Sequence, residues 1–162
     1  MSSSILILFL FAITIHNLEE AVWLIRQSLK ATKVKMHAPV KQDQFLFGLF
    51  VVTALAYLIT VLYIFYPSNV ILKYAYFGFL GSMIFNIIFP HLISTIIERC
   101  YSPGLLTGIG VIIPTNLLIL KAGFDTNTIT VTNFIVGTIC VGVILLSTIP
   151  LYFKIGKKLI TY

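Results

Sequence analysis

The chain has 162 residues, 59% of them hydrophobic and only 10% charged, with a mean hydropathy of +1.03. A soluble domain carries about 25% charged residues because its surface must be wetted, so this composition excludes a soluble globule, and it equally excludes disorder and a disulfide-stapled secreted fold. The 11 Lys and Arg against 5 Asp and Glu give a net charge of +6, which the apolar bulk assigns to basic membrane loops and not to a nucleic-acid surface.

A hydrocarbon layer of about 30 Å needs around 20 mainly apolar helical residues to cross it. Five segments meet that length: Ser4 to Ile25, Phe45 to Phe65, Tyr74 to Ile97, Gly104 to Leu120 and Ile129 to Phe153. Each must satisfy its own backbone N–H and C=O groups in lipid, and none alternates with the period of a barrel strand, so all five are predicted to be α-helices. The expectation is one all-α transmembrane domain over residues 1–162, with consecutive helices antiparallel across short loops.

Basic residues set the predicted orientation. Arg26, Lys30, Lys33, Lys35 and Lys41 follow the first span, Arg99 the third, and Lys154, Lys157 and Lys158 the fifth, leaving Lys73 and Lys121 for the other side. This bias predicts an outside N-terminus, a cytoplasmic C-terminus and a multi-pass plasma-membrane protein. It also places Tyr57, Tyr63, Tyr66, Tyr74 and Tyr76 toward the outer interface. The stretch from Arg26 to Lys41, with Met36, His37 and Pro39, reads either as a headgroup-lying segment or as a solvated loop that fixes topology. Cys100 and Cys140 differ in depth by roughly 20 Å at 1.5 Å per residue, too far apart for a disulfide.

The informative residues are polar groups where polarity is expensive. An ionisable side chain in mid-membrane costs about 2.5 to 3.5 kcal/mol on insertion scales, which makes it a functional-site candidate by default. The first span carries His16-Asn17-Leu18-Glu19-Glu20, and at 100° per residue His16, Glu19, Glu20 and Trp23 share an arc of about 100°. The third span adds His91, with Ser94, Thr95 and Glu98 in a similar arc. His16 lies ten residues before Arg26 and His91 eight before Arg99, so both sit roughly 12 to 15 Å inside the same boundary. Thr107, on the returning fourth helix, reaches a comparable depth, and Gly104 with Gly108 gives that helix a small-residue face for close packing. Pro90 removes the partner of the Asn86 carbonyl and bends the third helix. On an ideal helix Asn86 and His91 are about 140° apart, so only such a bend turns Asn86 toward the pocket.

These residues resemble the HXXEE family of membrane proteins, through His16-Asn17-Leu18-Glu19-Glu20, Asn86 with His91, and Tyr101-Ser102-Pro103-Gly104 with Thr107. The resemblance implies a polytopic membrane protein with the motifs of an enzyme, and it supplies no substrate.

Two imidazoles and one or more carboxylates at one depth are the usual set for a catalytic divalent metal with an open water position. Zinc is the first expectation, with iron or manganese as alternatives. His16, His91 and Glu19 or Glu20 are the candidate ligands and the other Glu the candidate base, while Asn86, Thr95 or Thr107 orient substrate. A hydrolase or related transferase acting on a lipid or prenyl-linked substrate follows, with a homodimer as a further expectation. A di-iron oxidase needs about four carboxylates, and the chain offers only Glu19, Glu20 and, almost at the boundary, Glu98. Two other classes compete: a small proton- or ion-coupled transporter or channel using the same His and Glu as a relay, and an assembly partner in which these residues only pack.

Overall fold

The fold is read from a computed structural model, which describes residues 1–28 and 42–159. The basic side chains from Arg26 to Lys41, and so the choice between a headgroup-lying segment and a solvated loop, lie outside the described residues. Regular structure among the described residues is helical throughout. Five helices are long and apolar enough to cross a membrane. They are α1 (Ser3–Ser28), α2 (Gln42–Phe65), α3 (Val70–Glu98), α4 (Leu105–Asp125) and α5 (Val131–Leu159).

Several helices run past the spans read from the sequence, because a charged residue marks where lipid ends and not where backbone hydrogen bonding ends. At the start of α3, Asn69 accepts the Leu72 N–H at 3.1 Å and caps the helix one turn before Tyr74. At its other end Arg99 adopts a left-handed conformation, φ 53°, and closes the helix.

In the bundle, α3 lies most extensively against α5, α5 also packs on α2, α2 on α1 and α3, and α4 bridges α1 and α3. Small residues permit the closest crossings. A Cβ at Gly78 would strike the backbone of Gly137, and one at Gly81 would strike Thr138. Gly108 brings α4 against Ile87 of α3. The core between α1 and α3 is aromatic, with Phe9 edge-on to both Tyr76 and Phe79. Two of the tyrosines assigned to the outer interface turn inward: Tyr63 stacks on Tyr76 at 5.3 Å, and the Tyr76 hydroxyl donates to the Leu6 carbonyl at 2.9 Å. That bond satisfies the buried hydroxyl, which is why this ring can pack inside the bundle. By contrast, the outward faces carry large apolar side chains such as Phe50, Leu58, Ile139 and Val143, as expected of a surface wetted by lipid. Cys100 and Cys140 form no disulfide.

α3 is not one continuous rod. Its regular part ends at Asn86, a widened π-type stretch covers Ile87–Leu92, and α-helix resumes at Ile93–Glu98. Within the stretch Phe89 is extended, φ −131° and ψ 115°, ahead of a cis bond to Pro90. The extended conformation is what a proline imposes on the residue before it. The bend predicted at Pro90 is therefore a full break, and it re-aims everything below it.

Candidate functional site

His16 and His91 come from separate helices and meet edge to face, with ring centroids 5.4 Å apart. Both present Nε2 to a single atom, Glu20 Oε1, at 3.6 Å from His16 and 2.7 Å from His91. The three side chains are buried within the protein, His16 completely. Glu20 reaches this point because it lies one helical turn beyond His16 on the same face of α1.

The outer nitrogens are held by hydroxyls. Thr107 Oγ1 lies 3.3 Å from His16 Nδ1, and Ser102 Oγ lies 3.4 Å from His91 Nδ1. Thr107 also donates its one hydroxyl proton to Glu19 Oε2 at 2.5 Å, so toward His16 it can only accept. The bond network therefore places the His16 proton on Nδ1 and leaves Nε2 as a bare lone pair. That nitrogen has no hydrogen-bond partner among the described residues. A lone pair facing a carboxylate oxygen at 3.6 Å sets two acceptors against each other in a buried site.

Asn86 does join the cluster, its Nδ2 lying 3.3 Å from His91 Nε2. The break at Phe89 supplies the rotation that an ideal helix lacks.

Glu19 and Glu20 are adjacent in sequence but do different things. Glu19 faces the start of α4, where it accepts the N–H groups of Gly104 at 2.9 Å and Thr107 at 2.8 Å, the Thr107 hydroxyl, and the hydroxyl of Tyr101. A carboxylate over exposed helix N–H groups satisfies donors that the helix cannot. It thereby fixes the segment that carries Ser102 and Thr107. Gly104 sits between the layers with φ +92°, and a Cβ there would come within 2.8 Å of His91 Cε1 and 2.9 Å of His16 Cε1. Only glycine combines that φ with that clearance.

Of the residues singled out from the sequence, His16, Glu20, His91 and Asn86 converge directly, and Thr107 touches both His16 and Glu19. Thr95 stands apart from the imidazoles: its hydroxyl oxygen accepts the Ser102 N–H at 3.0 Å and holds the loop. Ser102 and Gly104 also belong to the site, and Tyr101 joins through Glu19. The available signal was the spacing of Tyr101-Ser102-Pro103-Gly104 to Thr107, whose geometry appears only once α1 is packed beside it.

Residues 7–119 match the family described as "Protein of unknown function with HXXEE motif". The chain is also 46% identical over 150 residues to the uncharacterized protein YrkK of Bacillus subtilis (strain 168), covering 93% of this chain and 94% of the relative. No solved structure matches the chain.

Proposed function

The chain belongs to the HXXEE family, and we propose that it is a metal-dependent membrane enzyme whose divalent ion is held by His16 Nε2, His91 Nε2 and Glu20. The supporting observation is the convergence of two imidazole nitrogens on one carboxylate oxygen, with all three ligand atoms within 4.8 Å of one another. Tetrahedral zinc with bonds near 2.0–2.1 Å needs its ligand atoms ~3.3 Å apart. The His16 to Glu20 separation of 3.6 Å is close to that, and the 2.7 Å from His91 opens by about half an ångström to admit the ion. The hydroxyls on the two Nδ1 atoms play the orienting part that outer partners play for metal-bound histidines.

Two imidazoles and one carboxylate leave coordination positions open, which is the donor set of a catalytic centre. Zinc is the preferred ion, and iron or manganese are alternatives the same donors accept. A di-iron centre is disfavoured because Glu19, the other carboxylate at this depth, is committed to the α4 end. An ion in this place supplies a Lewis acid for a carbonyl or phosphoryl oxygen and a nucleophile from water near neutral pH. The protein's own groups do the rest: Asn86 orients the substrate, Thr107 holds His16 and Glu19 in place, and the packed loop excludes bulk water. Glu19 acts as a positioning residue and not as the base. The reaction is hydrolysis or transfer on a lipid or prenyl-linked substrate, in the plasma membrane, with the site in the cytoplasmic half.

The 2.7 Å contact between His91 and Glu20, with His16 on the same oxygen, favours a second reading in which the trio relays protons for transport. Elemental analysis of the purified protein separates the two. The enzyme reading expects about one zinc, iron or manganese per chain, lost in His16→Ala and in His91→Ala. Absence of metal in the wild type, with pH-driven flux in vesicles that either variant abolishes, establishes the relay instead.

A further inference from the structure

Between α1 and α4 a groove of about 550 Å³ opens sideways on the lipid-facing surface. Its walls are apolar, from Ile15, Leu18 and Val22 on one side and Leu106 on the other; Trp23 stands at the end of the α1 run, and Tyr101 lines the groove with its hydroxyl on Glu19. Glu19 and Thr107 also line it. Thr107 thus borders both the groove and the cluster, since its hydroxyl oxygen lies 3.3 Å from His16 Nδ1.

We infer that this groove seats one aliphatic chain of a membrane lipid, with the polar end of the lipid at Trp23 and the chain running toward Ile15. That this lipid is also the substrate rests on the metal-site reading. The groove belongs to segments that cross the membrane, Ser3–Trp23 and Leu105–Asp125, so hydrocarbon is the medium that fills it. The eight steps from Ile15 to Trp23 rise ~12 Å, most of the ~15 Å that one leaflet contributes to the hydrocarbon core. Its polarity runs the same way, because Trp23 carries a polar tip suited to headgroup level and Ile15 lies deeper. The residues where groove and cluster meet, Glu19 and Thr107, lie part-way along this run and bring the head-to-chain junction of the lipid beside the imidazoles.

The test uses the full chain in vesicles of phosphatidylethanolamine and phosphatidylglycerol that contain a phospholipid with a photoreactive diazirine in one acyl chain. After irradiation, adducts are mapped by peptide mass spectrometry, and metal content is read in the same samples. Labelling of Leu18, Val22 and Leu106 is expected to exceed that of the α5 lipid face, Ile139 and Val143, by about tenfold, the change produced by ~1.4 kcal/mol of preference. Leu18→Trp and Leu106→Trp, on opposite walls, each remove the groove label while keeping the metal, and Ile139→Trp leaves it. Equal labelling of groove and α5, or groove labelling unchanged in both wall variants, overturns the assignment. A groove that is labelled in a protein without metal removes the metal reading and leaves the lipid seat standing; metal without groove label does the reverse.

Discussion

The Thr107 hydroxyl helps to set the state of His16. Because the Thr107 hydroxyl donates to Glu19, it accepts from His16 Nδ1–H, and Nε2 faces Glu20 as a bare lone pair. Thr107→Val keeps the shape and removes that oxygen. It is expected to weaken metal binding about 10- to 100-fold, the range seen when an outer partner of a metal-bound histidine is lost, as read by competition with a chelator. Glu19→Ala should act on stability instead, leaving the Gly104 and Thr107 N–H groups without their acceptor at a cost of about 1–3 kcal/mol each. Its melting transition in detergent should fall well below that of Glu19→Asp. Gly104→Ala adds both a strained φ and a methyl against the two imidazoles, and loss of stoichiometric metal is the expected reading. At this scale the sequence was legible in part. The motif made His16, Glu19 and Glu20 candidates, but both glutamates fall within one arc of the helix, and their division of labour depends on where the loop from Tyr101 to Thr107 docks. That docking is a long-range contact with no periodic signal.

The decisive element is α3. Pro90 announced a bend, and the proline rule for the preceding residue explains why Phe89 leaves the helix. What the sequence could not show is the size of the rotation, which carries Asn86 from the far side of an ideal helix to 3.3 Å from His91. Pro90→Ala permits an unbroken helix and should swing Asn86 away. Far-UV circular dichroism is expected to show equal or greater helix content, with metal affinity reduced by about tenfold or more through loss of an orienting neighbour. Helix ends were the least legible feature, since caps such as Asn69 extend helices beyond the last apolar residue.

For the molecule as a whole, five spans were readable because lipid imposes one rule on every crossing segment: satisfy the backbone within the helix and face the acyl chains with apolar side chains. The inward turn of Tyr63 and Tyr76 was not readable, because an aromatic ring suits an interface and a hydrogen-bonded core equally. Orientation follows from basic residues alone, so it makes a separate prediction. In a background with Cys100 and Cys140 replaced by Ala, Thr126→Cys should react with an impermeant maleimide on intact cells, and Lys157→Cys only after permeabilisation. The opposite pattern inverts the proposed topology and moves the site to the outer half.

X-ray absorption at the metal K-edge of the purified protein is the most direct measurement of the proposed centre. Two imidazole nitrogens and a carboxylate oxygen at about 2.0–2.2 Å, with imidazole scattering lost when His16 or His91 is replaced, is the predicted result. A protein that carries no bound zinc, iron or manganese, or whose metal shows no histidine scattering, contradicts it.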